Sequence, residues 1–106
     1  MYYEIATMTL PFGAAAQAAS QVQAFAAAPE ASGELLACWF TDIGPLNQVL
    51  VLRGFPDLAT LQAERQRTQY GGDAFGCGAL YQSLTFDSYR PFPWMRPVRP
   101  TAESGV

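Results

Sequence analysis

Trp39-Phe40-Thr41-Asp42-Ile43-Gly44-Pro45-Leu46-Asn47-Gln48-Val49 reads as the end of one strand, a reversal, and the start of the next. Pro fixes φ and Gly relieves the backbone, so Gly44-Pro45 marks a tight connection. Polar residues flank it on both sides: Thr41 and Asp42 before, Asn47 and Gln48 after. Polar groups at strand ends beside a turn sit at the rim of a sheet, where they are candidates for binding.

The neighbouring segments extend this reading. Glu34 to Thr41 predicts a strand with Leu35, Ala37 and Trp39 on one face and Leu36, Cys38 and Phe40 on the other. Leu46 to Phe55, with its Val-Leu-Val-Leu centre, predicts a strand buried on both faces. A short link makes the two antiparallel neighbours. Tyr2 to Leu10 alternates, with Glu4, Ala6 and Met8 sharing a face, and predicts a further strand. Ala14 to Ala28 is alanine-rich and predicts a helix that Pro29 stops. Pro56-Asp57 opens a second helix with Asp57 as its N-cap. Leu58 and Leu61 form its apolar side; Glu64, Arg65 and Arg67 are read as a solvated face, and Gly71-Gly72 as its end. Gly71 to Gly78 reads as a flexible loop exposing Cys77, and Leu80 to Tyr89 as the last strand. Arg90 to Trp94 is a proline-stiffened arm, and the chain from about Arg99 is expected to be disordered.

The order β-α-β-β-α-β predicts an α+β, ferredoxin-like fold: a four-stranded antiparallel sheet with two helices on one face. Residues 1–93 form one domain, and 94–106 an extended, partly disordered tail. The helix-free face keeps apolar side chains and calls for a partner, most simply a second copy in a two-fold homodimer.

Composition narrows the chemistry. The 106 residues are 50% hydrophobic with net charge −3; the six cations are all Arg, and there is no His. No basic stripe suits nucleic acid. No Lys is present for Schiff-base chemistry, and no His to activate a nucleophile or hold zinc, non-haem iron or haem. Two cysteines do not make a metal site; Cys38 is read as a small core residue. No segment is long and apolar enough to cross a bilayer and no signal peptide is visible, so the expected location is cytoplasmic, without membrane or nucleic-acid partners and without cofactor or metal.

Tyr3-Glu4-Ile5 with Thr9-Leu10, Pro11-Phe12-Gly13, the Trp39-to-Val49 run, Phe55 with Asp57 and Leu58, and the Arg90-to-Pro93 region together resemble the NIPSNAP family of the dimeric α/β-barrel superfamily. The resemblance spans Met1 to about Pro93 and implies the fold and a homodimer. Family members typically carry Arg, Tyr, His and Trp where this chain has Ala6, Met8, Val51 and Arg53. The resemblance therefore implies a pocket remodelled for a bulkier or more apolar ligand.

Two functions remain open at this point. The first is a small dimeric enzyme without metal or organic cofactor, an oxygenase, cyclase, dehydratase or isomerase of the kind the wider superfamily contains. It would act on a hydrophobic or aromatic, secondary-metabolite-like substrate between sheet and helices. Glu4 would supply acid–base chemistry if desolvated in such a pocket, with Arg53 or Tyr81 orienting the substrate. Ala6, Met8, Trp39, Asp42, Asn47, Val51 and Gln82 would line the site. Structural readings stand beside these roles: Glu4 paired with an Arg, Arg53 pairing Glu4 or Asp42, Asp42 capping its turn. The second function is a non-catalytic small-molecule-binding or assembly module of the same fold. A closed apolar cavity holding Glu4 favours the enzyme; a space filled by Trp39, Met8 and Phe86 favours the module.

Overall fold

A computed structural model describes residues 1–41, 43–44, 46–69, 73–96 and 98. Asp42, Pro45, the Gly71-Gly72 helix end and the chain from Arg99 onward, all named above, lie outside the described residues. Four strands and two helices follow in the expected order: β1 (Tyr2–Thr9), α1 (Ala15–Ala26), β2 (Glu34–Phe40), β3 (Gln48–Phe55), α2 (Leu58–Gln69) and β4 (Ser83–Tyr89). The sheet is antiparallel with strand order β2-β3-β1-β4, so β2 and β4 are its edges.

Register decides which side chains meet the helices. Glu4, Ala6 and Met8 of β1 stand opposite Arg53, Val51 and Val49 of β3, and opposite Ser88, Phe86 and Leu84 of β4. Ala6, Met8, Val49 and Val51 join Ala18 and Val22 of α1 in the apolar core. Ala18, Val22 and Phe25 recur at helical spacing, so one narrow stripe of α1 is apolar and its alanines let it lie close to the sheet.

β2 departs from simple alternation. A bulge between Leu35 and Ala37 places Leu35 opposite Arg53, on the helix side with Cys38 and Phe40. Ala37 and Trp39 stay on the other face, opposite Leu52 and Leu50. The expected grouping of Leu35 with Ala37 and Trp39 is corrected accordingly. Gly33 leads into this strand at φ +80, and a Cβ there would lie 2.5 Å from the Phe55 ring, so no other residue fits without displacing that ring.

Other boundaries shift for physical reasons. The β2–β3 connection runs from residue 41 to residue 47, longer than a tight turn, with Asn47 in the left-handed region at φ 61. Main-chain bonds close its base: the Thr41 amide donates to Gln48 O at 3.0 Å, and the Leu10 amide donates to Asn47 O at 2.8 Å. β4 begins at Ser83, because Gly78 to Leu80 form a turn in which the Leu80 and Tyr81 amides both donate to Cys77 O. The segment before that turn is packed structure. A 3₁₀ turn at Ala74–Gly76 drives Phe75 into the core between Phe25 and Phe86, at ring separations of 5.5 and 6.2 Å. Phe75 holds φ 56 there, a conformation an L residue adopts only when its surroundings impose it.

The arm after β4 folds back. Phe92-Pro93-Trp94-Met95 is a turn, with the Met95 amide donating to Phe92 O at 3.0 Å and Pro at the position turns favour. Phe92 and Trp94 stack at 5.6 Å. The segment then crosses the helix-free face, where the Val98 amide donates to the Tyr3 hydroxyl at 2.9 Å.

Candidate functional site

The helix-facing side of the sheet carries two features that bear on function: a buried charge network at one end and an apolar groove at the other.

The network centres on Glu4, Arg53 and Glu64, which are 0%, 3% and 2% exposed. Cross-strand register sets Glu4 beside Arg53. Arg53 Nε donates to Glu4 Oε1 at 3.2 Å, and Arg53 Nη2 also pairs with that oxygen. Arg65 Nε donates to the other Glu4 oxygen at 2.9 Å. Arg53 Nη1 reaches Glu64 Oε2 at 3.3 Å and Thr68 Oγ1 at 3.0 Å. Arg67 forks onto Glu64, donating at 2.8 and 2.7 Å, and Ser32 donates its amide to Glu64 Oε1 at 3.3 Å. Three guanidiniums thus answer two carboxylates, in the bidentate geometry that makes such bonds strong. Aromatic faces complete the enclosure, with the guanidinium carbon 4.9 Å from the Phe75 ring for Arg53 and 3.8 Å from the Phe25 ring for Arg67.

This network corrects the solvated reading of α2. Leu61, Glu64 and Thr68 lie three and seven residues apart on the buried stripe of the helix. Arg65 and Arg67, half-buried, bend inward to the carboxylates. Asp57 does cap α2, its Oδ1 accepting from the Thr60 amide at 2.7 Å; that bond holds its carboxyl below the ordinary range.

The sequence-selected residues do not converge. Glu4 and Arg53 meet each other. Ala6, Met8 and Val51 lie fully buried inside the core, which Phe75, Phe86 and Leu84 help fill. Tyr81 packs against that core from the turn before β4, while Gln82 is exposed and donates its amide to Thr9 O. Asn47 is exposed on the hairpin, and Asp42 lies outside the described residues. Glu4 opens onto no cavity lined by described residues alone; its carboxylate oxygens are occupied by Arg53 and Arg65.

The groove lies four residues further along β3 from Arg53, at Val49. Ala15, Ala16 and Ala19 of α1 form one wall, and Cys38 and Phe40 of β2 the other, with Trp39 between them at the strand edge, around a volume of about 480 Å³. The alanines end too soon to reach the sheet edge, and the gap they leave is the groove. Among the described residues no charged side chain lines it and Cys38 is its one titratable group; burial pushes that thiol up. Because β2 is an edge strand, half of its backbone groups have no strand partner and can bond to a guest. Of these lining residues, the sequence pointed to Trp39 alone. The signal for the rest was the run of small residues on α1 facing an apolar edge strand.

The cysteines exchange their expected roles. Cys38 is half-buried at the groove, and Cys77, expected to be accessible, is 0% exposed in the core. Burial, with Asp73 nearby, pushes the Cys77 thiol up to about 11.

Among the described residues, no cluster of His, Cys, Asp or Glu is placed to hold a metal ion, and no helix is long and apolar enough to cross a membrane. The βαββαβ order with this strand sequence defines an α+β protein of the ferredoxin-like class. Within that class the family follows from sequence: residues 3–74 match NIPSNAP, and the chain belongs to that family. A NIPSNAP-like domain protein from Burkholderia xenovorans superposes with TM-score 0.70 at 22% identity, covering 99% of this chain and 97% of the other. A second NIPSNAP domain protein from the same organism gives TM-score 0.70 at 17% identity, covering 92% and 100%. A NIPSNAP family protein from Agrobacterium tumefaciens gives 0.69 at 20%, covering 89% and 88%. At these identities the likeness establishes the fold. No curated protein matches the sequence.

Proposed function

We propose that the protein is a homodimeric binding module that takes a neutral, apolar small molecule into the groove between α1 and β2. The groove itself carries this reading. Its volume falls within the range of small-molecule pockets, its walls are apolar, and an edge-strand backbone offers a few directional bonds. Acid–base catalysis by Glu4 is not part of the reading, since that carboxylate is held by two arginines away from the groove. The bare end of the helix-free face, where Trp39 and Leu50 are cross-strand partners, supports pairing with a second copy. Two unpaired thiols suit a reducing compartment, and we place the protein in the cytoplasm.

The test titrates a neutral aromatic dye into the protein and follows the dye's own emission, which is expected to rise on entry into the groove. Ala19→Phe, which fills the groove, should weaken the dye by about tenfold or more without lowering the melting temperature. A plugged variant that binds equally well defeats the reading. Sedimentation should report a dimer, and Leu50→Arg a monomer.

A further inference from the structure

The arginines of this chain divide into two groups. Arg53, Arg65 and Arg67 serve the buried network. Arg90, Arg96 and Arg99 fall in the last stretch of an otherwise acidic chain, with no Asp or Glu between Arg90 and Arg99. Arg99 lies outside the described residues. Arg90 lies 5.3 Å from the Tyr2 ring, and Arg96 is exposed; neither has an acidic partner among the described residues.

Both line a second cleft, about 290 Å³, formed where the C-terminal arm recrosses the helix-free face. Its floor is Tyr3, Ile5 and Leu52, and the arm contributes Phe92 and Met95. Asp87, on the same face of β4, is not part of the lining. Tyr3 is 6% exposed, and its hydroxyl oxygen accepts from Val98. A phenol that accepts keeps its own proton to give, and no acceptor for that proton occurs among the described residues. An anion entering the cleft would accept that proton in a charge-assisted bond.

We propose that this cleft binds a small apolar acid, such as a short acyl or aryl carboxylate. The Tyr3 hydroxyl donates to the carboxylate, Arg96 supplies the paired charge, and the apolar body lies against Ile5 and Leu52. This site is separate from the groove: it is on the opposite face of the sheet and selects an anion, whereas no charged side chain among the described residues lines the groove.

Octanoate and octanol distinguish charge from grease. Each is titrated into the full-length, isotope-labelled protein at low salt and followed by backbone amide shifts. Octanoate is expected to move Ile5, Tyr89 and Met95 and to bind about tenfold more tightly than octanol, the difference one charge-assisted bond supplies. Arg96→Gln, at an exposed position that folding does not need, should erase that preference and leave octanol unchanged. Tyr3→Phe should reduce octanoate binding in the same direction. Equal affinity for acid and alcohol, an Arg96→Gln variant that keeps the preference, shifts confined to Ala15, Ala19 and Phe40, or no shift with millimolar octanoate would each overturn the proposal.

Discussion

Along one face of one sheet, β1 and β3 present Met8 and Val49 to an apolar cluster that α1 joins; four residues further on, the same strands present Glu4 and Arg53 to Glu64 and Thr68 of α2. Both regions are shut off from water, and they are held by different physics. Apolar packing is non-directional, so α1 can sit against the sheet with short side chains and leave a groove open at its edge. The charged region has fixed donor and acceptor geometry, and α2 has one position in which all its bonds close. The adaptable region therefore carries the groove, and the directional region fixes the frame around it.

The largest effect should come from breaking the directional region. Arg53→Ala strands Glu4 and Glu64 in the interior without the guanidinium they share, and should cost about 3–5 kcal/mol in urea unfolding. Arg53→Lys keeps the charge but loses the fork, and should still cost about 2 kcal/mol. A lysine variant as stable as the parent would show that charge alone holds α2.

The apolar region should tolerate shape changes that keep volume. Met8→Ala empties part of the core and should cost about 2–5 kcal/mol, whereas Met8→Leu should cost under about 1.5 kcal/mol. The comparison sharpens if conservative replacement is mild at Met8 and severe at Arg53. It fails if the two behave alike.

The same contrast explains what could be read from the chain. Element order and strand pairing were legible because alternation in Tyr2 to Leu10, the continuous apolar run within Leu46 to Phe55, alanine in α1 and Asp57 at α2 are local signals. The site was less legible because its determinants are long-range. Glu64 and Arg67 on a polar helix look solvated until α2 is laid over Arg53, sixty-odd residues of chain having brought Arg65 to Glu4. A bulge at Leu35/Ala37 reverses part of β2 without a glycine to announce it. Phe75 hides in a glycine-rich segment because an aromatic at φ 56 is stabilised by Phe25 and Phe86, which no local pattern encodes.

The smallest effect, and the most direct reading of both regions, is thiol reactivity. Burial raises both thiols, but Cys38 borders the groove whereas Cys77 is enclosed, its Sγ within 3.7 Å of Ala18 O. Iodoacetamide at mildly alkaline pH should label Cys38 in the folded protein and Cys77 only through global opening, slower by roughly a hundredfold or more, as peptide mass analysis would show. Cys77 also makes a pH prediction of fixed sign. Its folded-state value near 11 lies above the ordinary 9.0, so the stability it contributes is whole below about 9 and is lost as the pH rises to about 11. Cys77→Ala in a Cys38→Ser background should flatten that alkaline loss. A guest seated between α1 and β2 should slow labelling of Cys38 while leaving Cys77 to follow unfolding. Equal labelling of the two cysteines in the folded state would mean that the core near Cys77 opens as readily as the groove, and the division between a fixed frame and an adaptable edge would not hold.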